Sequence, residues 1–104
     1  MSLYRQLQAR QVAENPIRVG VIGAGKFGTM FLAQALNLPG IHVIGIADLN
    51  VDRAKSNLAL AHWPTERYSA RSLDDANRSG ATHIGDNALA LIEHPTVDVI
   101  IEAI

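Results

Sequence analysis

At 104 residues, 48% hydrophobic and 18% charged, the chain suits one small domain with a thin core rather than a disordered or membrane-embedded class. The formal net charge is −1, and the lysines and arginines are scattered, which argues against the basic stripe of a nucleic-acid surface. No apolar run approaches the ~20 residues of a bilayer span, residues 1–15 lack the apolar stretch of a secretory signal, and the absence of cysteine excludes disulfide and thiolate chemistry. The expected setting is therefore cytoplasmic, with no membrane and no nucleic-acid partner.

Ser2 to Glu14 holds good helix formers behind a Ser2 cap, with Leu3, Leu7 and Val12 as a narrow apolar stripe. The spacing predicts a peripheral helix within residues 1–15, packed on a neighbour or on a second subunit of a homo-oligomer. A frayed arm is the plain alternative. Asn15-Pro16 ends it, because proline disfavours the helical region for the residue before it.

Ile17 to Ile22 is a near-continuous apolar run, as expected of a parallel strand covered on both faces. It breaks into Gly23, Gly25 and Gly28, and a helix from about Lys26 to Leu38 follows, with Phe27, Met30, Phe31, Ala35 and Leu38 expected inward. Pro39-Gly40 stops it. Ile41 to Ala47 is a second buried strand ending on Asp48, and Asn50 caps a helix from Val51 to about His62, with Ala54, Leu58 and Ala61 inward. Trp63-Pro64 is the expected terminator.

Thr65 to Ala81 has a weaker pattern, in which Ser72-Leu-Asp-Asp75 resembles a capping box for a short helix ending at Ser79-Gly80. Thr82 to Gly85 reads as a short third strand, Asn87 to Glu93 as a helix closed by Pro95, and Val97 to Ile104 as a fourth strand. The alternation implies an α/β fold, a Rossmann-type doubly wound parallel sheet of order 3-2-1-4, with residues 16–104 as the domain. The apolar fourth strand would then lie at an edge, so the expectation is the first half of a dinucleotide-binding domain from a longer enzyme.

The glycines form G-x-G-x-x-G between a strand and a helix. Gly23 allows the tight turn, Gly25 lets the backbone approach a pyrophosphate, and Gly28 lets helix and strand pack closely. The expected cradle runs through Gly23, Ala24, Gly25, Lys26, Phe27 and Gly28, with main-chain amides and the helix dipole facing the diphosphate. Without other features, such a turn is equally a ligand-free strand–helix connection. The second feature is Asp48, twenty positions past Gly28 at the end of the next strand. With Leu49 beside it, Asp48 is placed to accept from the ribose hydroxyls and repel a 2′-phosphate, which favours NAD. Asp48 is otherwise a turn or capping residue, and Arg53 keeps NADP open.

His42, His62, His83 and His94 share no metal-ligand spacing, and no metal is expected. Asp74 and Asp75 suit a solvated first helical turn. Asp98 and Glu102 are expected on one face of the fourth strand, with Glu102 towards the ligand-binding end; no catalytic residue can be assigned.

The runs Ile17–Phe31, Val43–Asp48 and Val97–Ala103 resemble the N-terminal NAD(P)-binding domain of homoserine dehydrogenase-like oxidoreductases. Within that group the likeness is to SAF-domain reductases, which include 1-deoxyxylulose-5-phosphate reductoisomerase-like enzymes. The glucose–fructose oxidoreductase family shares the same glycine and acid pattern. The resemblance implies an NAD(P)-dependent oxidoreductase in which this domain holds the cofactor, while a further domain presents a small-molecule substrate and the catalytic groups. On that reading this piece alone is inactive. Some reductoisomerase-like members use NADP and lack an acid after the second strand, so Asp48 departs from them. A non-catalytic NAD(H)-sensing module, or a domain that binds nothing, would carry the same glycines.

Overall fold

A computed structural model describes residues 2–23 and 25–103, apart from the side chains of Lys26 and Phe27. At its centre, β1 (Ile17–Ile22) pairs in parallel with β2 (Ile41–Ala47), as Ile17↔Ile41 to Ile22↔Ala47. Strand β3 (His83–Gly85) joins the far side of β2, and β4 (Val99–Glu102) joins β1, so the all-parallel order is β3-β2-β1-β4. The α/β, Rossmann-type architecture expected from the alternation is the one observed. The register slips between Val19 and Gly20, leaving Ile44 as an extra residue in β2.

Helices α2 (Lys26–Ala35) and α3 (Val51–Leu60) cover one face, where Leu32, Ala35, Ala54 and Leu58 pack with Val19, Val21, Val43 and Ile46. On the other face lie α4 (Leu73–Ser79) and α5 (Ala88–Glu93). Gly20 and Gly45, register partners, make room for them: a Cβ at Gly20 would meet Leu91 at 2.9 Å, and one at Gly45 would meet Leu73 and Leu91 at 2.6 Å. A short 3-10 helix, Thr65–Tyr68, fills part of the segment whose pattern was weak. No helix among the described residues is long and apolar enough to cross a membrane.

Several expected boundaries move, for identifiable reasons. Helix α1 (Leu3–Val12) is capped by Ser2 as expected, but only Leu7 is buried, while Leu3 and Val12 are exposed. It docks at the turn before β2, where Gly40 N donates to Gln11 Oε1 at 2.7 Å. Both α1 and α3 end before the prolines through a non-glycine residue at positive φ, Glu14 (55°) and His62 (65°). In each case two amides return to the last turn: Glu14 N to Gln11 O and Asn15 N to Arg10 O, His62 N to Ala59 O and Trp63 N to Leu58 O. This pairing is the Schellman arrangement, and it satisfies end carbonyls that proline could not.

Helix α2 stops at Ala35 rather than Leu38, and its inward stripe is Gly28, Leu32 and Ala35. Met30, expected inward, is 58% exposed, whereas Leu32 is 0% exposed. Phe31 and Leu38 are only half-buried, and Phe27 lies outside the described side chains. Strand β4 is shorter than Val97–Ile104, because Val97 N turns back to His94 O and only Val99–Glu102 pair with β1; Ile104 lies outside the described residues.

His42, at the start of β2, ties the sheet to the segment before β3 through Nε2 and the Ala81 carbonyl, 2.6 Å apart. A carbonyl only accepts, so Nε2 carries the proton. Burial pushes the His42 pKa below its ordinary 6.5; the Ala81 bond opposes this, and the Arg18 and Arg67 charges add to the lowering. The folded state therefore favours the neutral ring. That contribution is complete above about pH 6.5 and is lost as the pH falls through the lower folded pKa. The urea midpoint should fall between about pH 7 and 5, and His42→Gln, which retains an N–H donor, should flatten that fall. Equal pH dependence in the two proteins would contradict the assignment.

Candidate functional site

The four strands run in parallel, so the residues that follow them gather at one end of the sheet. A cavity of about 400 Å³ opens there, bordered by Gly23 after β1, Asp48 after β2, Asp86 after β3 and Ala103 after β4. Gly25, Leu49 and Arg53 also border it. Open α/β sheets bind ligands at this end, beside the point where the strand order reverses. Here the reversal falls at β1, which is flanked by β2 and β4.

The three glycines meet three different demands. Gly23 has φ 89°, a conformation that disfavours a side chain, and its amide donates to Ala47 O at 2.7 Å. Gly28 is a close-approach residue: a Cβ there would lie 2.6 Å from Gly23 O and 3.3 Å from Ala103 Cβ. Gly25 needs its hydrogen for neither reason. Its φ is −74°, open to any residue, and among the described residues a Cβ there would meet no non-adjacent atom within 4 Å. Ala24 lies outside the described residues, and Lys26 and Phe27 are described only as the helical backbone of the first turn of α2.

That turn also differs from its counterparts. Helices α1, α3, α4 and α5 are each capped by a side chain, from Ser2, Asn50, Ser72 and Asn87. Helix α2 has Gly25 at its N-cap, no side-chain cap and no acid in its first turn. Its first amides therefore present donors and the positive end of the helix dipole without a carboxylate or hydroxyl of the N-cap residue in the way.

Asp48 is 7% exposed. Its Oδ1 accepts from Asn50 N at 2.8 Å and lies 3.4 Å from Arg53 Nη2, while its own amide donates to Gly85 O at 2.9 Å. The same carboxylate thus organises the turn into α3 and borders the cavity. Leu49 is 95% exposed on the rim, an apolar side chain held in water beside the cavity.

The sequence reading missed Asp86, Ala88 and Ala103, which also border the cavity. The available signal was position: Asp86 and Ala103 directly follow strands. Asp98 and Glu102 do not act together. Asp98 precedes β4, where its carboxylate accepts from Arg18 N at 2.9 Å at the opposite end of the sheet; Glu102 pairs with Ile22 at the C-terminal end and is exposed. Asp75 accepts from Arg71 N and Ser72 caps the same turn, while Asp74 Oδ1 lies 3.0 Å from His94 Nε2. Among the described residues no group of three His, Asp or Glu side chains could hold a metal ion.

No protein-family model matches the chain, and no curated protein matches it.

The glycine geometry separates two substitutions. Gly28→Ala should lower unfolding stability by about 1–3 kcal/mol, since its Cβ meets a backbone oxygen that cannot move cheaply. Gly25→Ala should cost less, about 0.5–1 kcal/mol, the difference between glycine and alanine at an N-cap. Denaturant titration of both reads the contrast, and equal losses would contradict it.

Proposed function

We propose that this chain is the dinucleotide-binding domain of an NAD(P)-dependent oxidoreductase of the homoserine dehydrogenase-like kind, with NAD as the preferred cofactor. The observation that carries the proposal is Gly25. Among the described residues, neither its φ nor any non-adjacent neighbour demands glycine, and the open space above it leaves room for a ligand to approach the main chain from the cavity. A diphosphate fits that approach, because the uncapped first turn of α2 offers amide donors at the same place. Gly23, Ala24, Gly25, Lys26, Phe27 and Gly28 would hold the diphosphate through the main chain.

Asp48 supplies the selectivity. A buried carboxylate at the cavity edge accepts from two ribose hydroxyls and is repelled by a 2′-phosphate, and Leu49 offers an apolar surface beside it. Arg53 partly offsets the Asp48 charge and leaves NADP as the weaker alternative. When bound, the nicotinamide cofactor supplies the hydride chemistry; these residues bind and orient it, while a domain carrying the small-molecule substrate supplies the acid–base groups.

Calorimetric titration with NAD, NADP and AMP tests the reading. NAD should bind more tightly than NADP, and Asp48→Ala should weaken NAD by roughly 10–100-fold, the scale of hydrogen bonds to a charged group, and NADP by much less. Equal losses would remove Asp48 from the ribose, and silence towards all three ligands would overturn the proposal.

A further inference from the structure

The opposite end of the sheet, where the strands begin, holds a second cavity of about 380 Å³. Arg18 of β1, His42 of β2, Arg67 of the 3-10 helix and Arg78 of α4 all border it, with Glu14 as the acid on its rim. The positive charges are not equally neutralised. Arg78 pairs with Asp75 at 3.7 Å. Among the described residues, neither the Arg18 nor the Arg67 guanidinium has a carboxylate oxygen within 4.0 Å.

Arg18 is the sharper case, because its side chain is half-buried and its Nε donates to a neutral partner, Asn77 Oδ1, at 2.7 Å. The nearby Asp98 carboxylate is spent on the Arg18 main-chain amide instead. Arg67 lies 5.9 Å from the centroid of the Trp63 ring, which steadies the guanidinium without cancelling its charge. A guanidinium with no carboxylate within ion-pair distance keeps N–H donors for a ligand, and its planar fork matches an oxyanion with paired acceptors. Arg18, His42 and Arg67 line this one cavity together.

We propose that this cavity is a second ligand site, separate from the dinucleotide site, for a small molecule bearing a phosphate group. Arg18 and Arg67 bind the phosphate oxygens, and the remaining volume accommodates the body to which the phosphate is attached. The site is independent of the reading given to the glycine turn, since the two cavities lie at opposite ends of the strands and share no residue.

Inorganic phosphate is the probe, titrated into the whole chain at constant ionic strength and pH 7.5 while the Arg18 Nε–H and His42 ring resonances are followed. Both should shift saturably with one common Kd. Arg18→Gln and Arg67→Gln should each weaken that Kd by about 10-fold or more, whereas Arg5→Gln on the exposed part of α1 should leave it unchanged. Arg67 is exposed, so its variant carries the test even where Arg18→Gln fails to fold. A shift that does not saturate, saturation that survives Arg67→Gln, or shifts confined to residues 23–28 would overturn the proposal.

Discussion

The contact on which the rest depends is the approach of Gly28 to Gly23 O. A Cβ on Gly28 would intrude to 2.6 Å, so the first turn of α2 can sit directly on the end of β1 only because Gly28 lacks one. This approach sets the rotational phase of the helix: with Gly28 facing the sheet, the residues four and seven positions on, Leu32 and Ala35, face it too. Leu32 then supplies both core volume and an acceptor, because the buried indole Nε1 of Trp63 donates to its carbonyl at 2.9 Å. That bond fastens the end of α3 to the middle of α2, and the Schellman turn at His62 delivers the indole there.

The same contact explains why the C-terminal end of the sheet suits a ligand. Holding α2 close to β1 brings its uncapped N-terminus over the strand ends, where Asp48 and the residues after β3 and β4 gather. At the N-terminal end the balance is different: the side chains of Arg18, Arg67 and Arg78 border the space, with Glu14 as the acid. A parallel sheet has distinct ends, and here each has its own electrostatic character.

Much of this was legible in the sequence. Strands β1 and β2 match to the residue because proline, glycine and aspartate bound the apolar runs, and the strand order followed from the alternation of elements. The caps at Ser2, Asn50 and Ser72 were readable because those side chains satisfy amides three residues on, whereas Asn87, expected as the first helical residue, is itself the cap of α5. Part of the inward face of α2 failed: Ala35 is buried as expected and Phe31 packs against the core, but Met30 faces out, because the small residue Gly28 marks the buried side. The helix ends at Glu14 and His62 were hidden for a related reason: a left-handed residue without glycine leaves no compositional trace. The cavity border was half readable, since Asp86 and Ala103 owe their place to the sheet rather than to any local motif.

The central claim is that Gly25 is glycine for the sake of a bound diphosphate rather than for the fold. Calorimetric titration of NAD into Gly25→Ala, with its unfolding midpoint measured in the same buffer, tests this most directly. The account predicts a midpoint slightly below that of the parent chain together with NAD affinity reduced by about 10-fold or more, a loss of at least ~1.4 kcal/mol. Parent-like NAD affinity in a stably folded Gly25→Ala variant would contradict it.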